Sequence, residues 1–435
     1  MLLCLSGLGQ YAFGQQNFVT VKGNQFVISG KPYYFIGSNY WYGPSLGSKG
    51  EGGNRERLIK ELDFLKAAGI NNLRVLVGAE GPNDQPFRVS PALQVAPGNY
   101  DDELLDGLDF FMAEIAKRNL KAVIFLNNSW EWSGGFMQYL NWNGYGPIVY
   151  LQYKENTWEQ FKAYTTQFHT CEPCKKQFFD HVRFIVTRTN AYTGTRYIDD
   201  PAVMSWEIAN EPRAFSDENI DVFIEWIGEA TRLIKDLDPN HLVTTGSEGQ
   251  FGSEGSMDVF RKLHSLKGID YLTFHIWPNN WGWLDKTDIP GSVDKAIMQT
   301  NAYIDAHVAV ADDLNKPIVF EEFGLPRDRF QFTLTDETSG RDKYYRNAFE
   351  HVLASAKKGG SLSGCNFWAF AGFSRPIPGQ VFWKKGDAFM GDPPQEEQGL
   401  NAVFDADTTM KLIRDYAARL NDVTAKPKQT RKKKR

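Results

Sequence analysis

The sequence predicts a single (β/α)8 barrel, a TIM barrel of the α/β class, and three observations carry that prediction. Short β-rich runs alternate with longer amphipathic segments from Tyr33 onward, there are about eight such runs, and polar or aromatic groups gather where the runs end. A chain of 435 residues is long enough for such a barrel with inserted loops.

Taken in order, residues 1–14, MLLCLSGLGQYAFG, form a short apolar stretch with Ala12 and Gly14 as the small residues before a cleavage point near Gln15. This predicts a signal peptide, truncated of its basic leading region, and hence a secreted or periplasmic protein. The stretch is too short to span a membrane. FVTVKGNQFVISGKPYYFIGSNY then holds two alternating runs joined at Lys22-Gly23-Asn24, a small hairpin ahead of the first barrel strand. Strands are expected at 34–39, 72–77, 122–126, 203–208, 242–245, 271–275, 318–323 and 365–369. Helices are expected at 55–68, 103–118, 175–189, 219–236, 293–315, 343–357 and 407–421, several stopping at Gly or Asn. Long inserts follow the third strand (127–159) and the eighth (371–401), both leaving carboxyl ends of strands, where barrel enzymes build their sites. With no repeat or linker, one domain is expected over 15–422, followed by a basic disordered tail over 423–435.

Net charge is −5, from 48 basic and 53 acidic side chains, so no broad positive field invites a nucleic acid. Aromatic content of 14%, with 12 Trp, exceeds what a core needs and predicts rings facing a ligand; such faces stack on the C–H faces of sugars. Cys365 sits in the apolar run GCNFWAF as a buried free thiol, whereas the pair in HTCEPCKK, Cys171 and Cys174, can close a local disulfide.

The chemistry is concentrated in two segments of the same grammar. SWEIANEPR is an apolar strand broken by Pro212, which sets Glu211 at the barrel rim beside the Asn210 amide. KPIVFEEFG is a second buried strand running into Glu321 and Glu322; side chains alternate about a strand, so only one of the two is expected to face the axis. Three βα units fit between the segments, which places the carboxylates on the fourth and seventh strands. Cleavage of a glycosidic bond needs such a pair, an acid for the leaving oxygen and a carboxylate for the anomeric carbon or a water. Arg74, Asn127, His275 and Trp368 fall at other strand ends, and Arg74 lies in an apolar strand where a charge needs a partner.

These residues resemble family-five glycoside hydrolases of clan A, in particular the endo-β-1,4-mannanase branch. The resemblance covers nearly all of the chain after the leader and is densest in RTNAYTGTRYIDDPAVMSWEIANEPR, TFHIWPNNWGW, KPIVFEEFG and GLNAVFDAD. It implies that Glu211 is the acid/base and Glu322 the nucleophile. It further implies that Asn210 binds the sugar 2-hydroxyl, that Arg74 and His275 order the carboxylates, that Trp368 floors the central subsite, and that Trp130 lines the cleft. Trp277 stands where the wider family usually has Tyr, so the nucleophile there lacks a phenolic partner. The implied activity is retaining endo-cleavage of mannan, glucomannan or galactomannan; exo release of mannobiose, β-glucan cleavage, transglycosylation and sugar binding without catalysis are the rival readings. Retention predicts carboxyls about 5–5.5 Å apart, against about 6.5–9.5 Å for inversion. No metal or organic cofactor is implied, and a monomer acting on a β-mannan is expected.

Overall fold

The computed structural model describes residues 18–425, so the leader expected over 1–14 and the basic run Lys426–Arg435 lie outside the described residues. Eight parallel strands, labelled β1 to β8, are Phe35–Asn39, Asn72–Leu76, Lys121–Phe125, Val203–Glu207, Leu242–Thr244, Leu272–Ile276, Ile318–Phe323 and Leu362–Phe367. They lie side by side in the order β5-β4-β3-β2-β1-β8-β7-β6. The remaining seam, between β5 and β6, is joined at one end by reciprocal bonds: the Asp270 N–H donates to the Val243 carbonyl at 2.9 Å, and the Val243 N–H to the Asp270 carboxylate at 2.7 Å.

All seven expected helices form, as Arg55–Ala67, Asp102–Lys117, Glu172–Val186, Ile220–Leu237, Ile289–Leu314, Ser339–Lys358 and Thr408–Ala425. The last runs on through Ala425, into the stretch read as tail. An eighth helix was not expected: Met257–His264, between β5 and β6, is only eight residues long, and Ser256 caps it by accepting from the Val259 N–H at 3.3 Å. β8 starts at Leu362 rather than Cys365, because the Ser-Leu-Ser-Gly composition reads as loop. Gly364 is required there, since a Cβ would lie 2.5 Å from the Phe35 ring.

The expected hairpin gains a third strand, Thr20–Lys22, Gln25–Ile28 and Lys31–Pro32 pairing antiparallel, and its turn uses Gly23 at φ +61°. Phe26 from this sheet packs in a cluster with Phe35, Val123, Met204, Leu242, Tyr271 and Val319, from six of the barrel strands or their entries. Burying that one ring contributes roughly 1.5–3 kcal/mol and closes the barrel floor. Further up, Asn366 donates to Asn72 at 2.9 Å, and a Cβ on Gly37 would sit 2.4 Å from the Asn366 amide nitrogen, so glycine alone fits. The barrel is thereby filled from below, and ligands reach it from the carboxyl ends of the strands.

Both expected inserts crown that end. The first carries the short helix Gly135–Trp142 and leads into Trp158–Thr165; beyond it Cys171 and Cys174 are disulfide-bonded at the start of Glu172–Val186. The second is pinned by Asp392, which accepts from the Gly399 and Asn401 N–H groups at 2.8 Å each. Cys365 is a buried free thiol. Among the described residues no helix is long and apolar enough to cross a membrane.

Candidate active site

Arg74, on β2, organises the site. Its guanidinium is fully buried and donates to Glu207 on β4 (2.8 and 2.5 Å), to Asn39 on β1 (3.0 Å), to Asn210 (2.7 Å) and to Glu322 on β7. The partner that a charge in an apolar strand demands is thus supplied twice over, by Glu207 and Glu322. Glu207 lies inside the SWEIANEPR segment and was missed; a carboxylate in an otherwise apolar strand is the same signal that singled out Arg74.

Glu211 follows β4 with φ at +48°, a left-handed conformation costing a non-glycine residue of order 1–3 kcal/mol. The strain turns its side chain into the barrel mouth, where its carboxylate accepts from His275 Nδ1 at 2.7 Å and from the Trp130 indole N–H at 2.5 Å. Arg213 stacks over the Trp130 ring at 5.5 Å and pairs with Glu248, fixing the indole in turn. On the opposite wall Glu322 lies 3.4 Å from His275 Nδ1. A carboxylate oxygen of Glu211, one of Glu322 and a ring nitrogen of His275 all fall within 4.8 Å of one another. Among the described residues these three are the one set of groups close enough to surround a metal ion, but the Arg74 guanidinium against Glu322 opposes a second cation there.

Burial is the largest influence on Glu211 and raises it, yet the hydrogen bond and charge of His275, with Arg213 and Trp130, outweigh it and bring the carboxyl down to about 2. Burial takes Glu322 up to about 7, with His275 and Arg74 only partly opposing. Burial alone would discharge His275, but Glu322, Glu211 and Glu321 around it hold the imidazolium up to about 10. Burial likewise lifts Glu207 to about 8 and Glu248 to about 7. These directions set Glu322 above Glu211 in proton affinity within one shared buried site.

Of the expected residues, Trp130, Asn210, Glu211, Trp277, Glu322 and Trp368 line one pocket of about 590 Å³. Arg74 and His275 lie beneath it. Two expectations are corrected. Asn127 does not reach the pocket: its side-chain oxygen accepts from the Asn128 N–H at 2.8 Å, and it is Asn128 that accepts from Asn210 at 3.1 Å. Glu321 is not turned outward; it is buried 3.8 Å from Arg74 and 3.7 Å from His275. The register against β6 slips at this point, Phe274 facing Phe320 and His275 facing Glu322, so Glu321 is an extra residue that escapes the alternation. Trp277 packs edge-to-face on Trp368 at 6.0 Å, and Glu322 is held by Arg74 and His275. The sequence also left out Glu248, Arg213, Phe251, Trp281, Gln152, Gln395 and Glu396, which complete the walls. All but Phe251, which begins a one-turn 3-10 helix, lie on loops, where neither period nor strand end marks them.

A family model described as GH family 5 beta-mannosidase-like matches residues 16–425. The chain belongs to that family. Among its glycoside hydrolase relatives, mannan endo-1,4-beta-mannosidase 7 of Arabidopsis thaliana is 30% identical over 431 residues, covering 96% of this chain and 90% of the relative. The crystal structure of a family 5 mannosidase from Rhizomucor miehei matches with a TM-score of 0.86 at 35% identity, covering 94% of this chain and 99% of that one. The endo-1,4-beta-mannanase of the same fungus, at 23% identity and a TM-score of 0.64, covers 93% of this chain and 99% of its own and shares the fold. The family-five enzyme described here is thus a glycoside hydrolase whose barrel, pocket and opposed carboxylates belong together.

Proposed function

We propose that this enzyme hydrolyses internal β-1,4-mannosidic bonds of mannan, glucomannan or galactomannan with retention of configuration, Glu322 acting as nucleophile and Glu211 as acid/base. The observation that carries the reading is that one oxygen of Glu211 and one of Glu322 lie within 4.8 Å of each other across an aromatic pocket, the close approach that a retaining pair needs. The names of the plant relatives support the substrate. A mannosyl unit lies over Trp368, and Glu322 attacks its anomeric carbon while Glu211 protonates the departing oxygen. Water, deprotonated by Glu211, then displaces Glu322. Asn210 has one amide hydrogen committed to Asn128 and one left for the 2-hydroxyl. The first step needs the proton on Glu211 and the charge on Glu322, the arrangement that Arg74 beside Glu322 favours. A glycosidic oxygen placed beside Glu211 accepts a hydrogen bond only from its protonated form, so bound sugar favours the proton on Glu211.

The sign of the pH dependence follows. The pair carries one proton below about pH 7, the value to which Glu322 is raised, and none above it. kcat/KM on mannan therefore falls about tenfold per pH unit above that limb, since the doubly ionised pair has no acid. A profile flat to pH 9 would remove the shared-proton account.

The deciding experiment is the early product profile on linear mannan, glucomannan and carboxymethyl-cellulose. Mixed mannooligosaccharides are the expected result, and products from the cellulose derivative alone would sink the substrate assignment. A second reading, exo action at chain ends, is favoured by one feature: Gln152 from one insert and Gln395 and Glu396 from the other line the pocket, and each has a buried oxygen without a hydrogen-bond partner, acceptors suited to the hydroxyls of a terminal sugar. Mannose or mannobiose as the first product would establish it. Work outside the cytoplasm is part of the proposal, supported by the Cys171–Cys174 disulfide.

A further inference from the structure

Glu321 has no task in the reaction above, yet it is a fully buried carboxylate whose two oxygens accept no hydrogen bond. Such a group is costly unless something nearby needs its charge. Its Oε2 faces Arg74 Nε at 3.8 Å and His275 Nε2 at 3.7 Å. Arg74 Nε is already engaged by Glu207 at 2.8 Å. His275 Nε2 is buried and has no hydrogen-bond partner, so the two unpartnered groups face each other. The other ring nitrogen reaches Glu211 at 2.7 Å and Glu322 at 3.4 Å.

We infer that Glu321 is a positioning residue, an anion beneath the site that keeps His275 in the imidazolium form shared by the acid/base and the nucleophile. The strand irregularity at Phe274/His275 exists at the place where it brings this carboxylate inside. The gain lies in the course of the reaction. Negative charge begins on Glu322 and passes to Glu211 once Glu322 is esterified and Glu211 has given up its proton. An imidazolium within reach of both carboxylates stabilises the charge at either place. His275 is faced by Glu211 from the loop after β4, by Glu321 and Glu322 from β7, by Glu207 from β4 and by Glu248 beyond β5 through space, with Arg74 on β2 as the opposing cation. Tyr271, just before β6, is occupied with Ser205 at 2.8 Å. Glu211 and Glu322 approach the ring at Nδ1, whereas Glu321 approaches it at Nε2.

The test is Glu321→Gln, which keeps the volume and removes the charge. The alkaline limb near pH 7 reports Glu322, so the readout is the titration of the His275 ring nitrogens in protein carrying ¹⁵N-histidine. In Glu321→Gln that titration should move to lower pH by about one pH unit or more. Glu321→Asp should recover most of the shift. A His275 titration within about 0.2 pH unit of wild type would overturn the inference. An independent arm needs neither folding of the variants nor turnover: in wild-type protein carrying ¹⁵N-histidine, the His275 resonances, assigned by their loss in His275→Gln or by triple-resonance connection, should report both ring nitrogens protonated at about pH 8. A neutral His275 ring there refutes it. The inference rests on the retaining β-mannoside reading for its role in turnover, and a wild-type enzyme inactive on β-mannosides would sink that reading while the resonance results still decide this one.

Discussion

Glu322→Gln should lower kcat on mannan by about 10⁴-fold or more while leaving the barrel intact. The amide keeps the volume of the side chain but cannot form the glycosyl ester, so both steps of the double displacement fail together. Folding survives because Arg74 keeps its two hydrogen bonds to Glu207 and those to Asn39 and Asn210. The check has two parts. Steady-state turnover of the variant should fall to the limit of detection at unchanged circular dichroism. A 2-deoxy-2-fluoro-β-mannosyl probe with a good leaving group should add its sugar mass to the Glu322 peptide of wild type and not to that of the variant. Label found on Glu211 or Glu321 would overturn the assignment of the nucleophile, and Glu321 is the instructive competitor because the strand irregularity brings it inside as well.

Glu211→Ala should cut hydrolysis of mannan by about 10²–10⁴-fold, the usual worth of a positioned acid/base. The loss should depend on the leaving group. An aryl β-mannoside of low leaving-group pKa needs no acid for departure, so its first step survives and the glycosyl-enzyme accumulates as a burst. Azide should enter the space vacated beside Trp130 and accelerate turnover, with a β-mannosyl azide as product. An α-configured azide would contradict retention. A uniform loss across leaving groups without azide rescue would show that Glu211 supports the site without transferring a proton. Glu211 lies below Glu322 in proton affinity, which makes this a demanding test, because the acid role requires bound sugar to favour protonated Glu211.

Particular residues show how far one-dimensional pattern reaches. Pro212 after Glu211 and Gly324 after Phe323 mark ends of apolar runs, and a run ending in a carboxylate announces itself without knowledge of any other strand. Arg74 could be picked out because a cation in an apolar strand needs a partner wherever that partner is. Glu248, Arg213 and Glu396 carry no such mark. They sit on loops after β5, after β4 and after β8, and they matter because those loops converge over the barrel mouth.

Glu321 and Asn127 separate the two kinds of information most clearly. Both lie where the pattern placed them along the chain, at the carboxyl ends of strands, and both were assigned the wrong direction. Alternation holds while a strand stays in register with its neighbour, and the slip between Phe274 and His275 cancels it for Glu321. Asn127 is drawn into the backbone of its own turn, through the Asn128 N–H, and leaves Asn128 to steady Asn210. The sequence by itself determined the barrel, the hairpin beneath it, the position of Glu211 and Glu322 on the fourth and seventh strands, and the need of Arg74 for a partner. Those features follow from period, from strand breakers and from the cost of an unpaired charge, all of which act between residues close in the chain. Tertiary structure alone decided that Glu207, Glu321, His275 and Arg74 share one layer beneath the pocket. That layer depends on the relative register of strands far apart in sequence, and register is set by how the whole barrel closes.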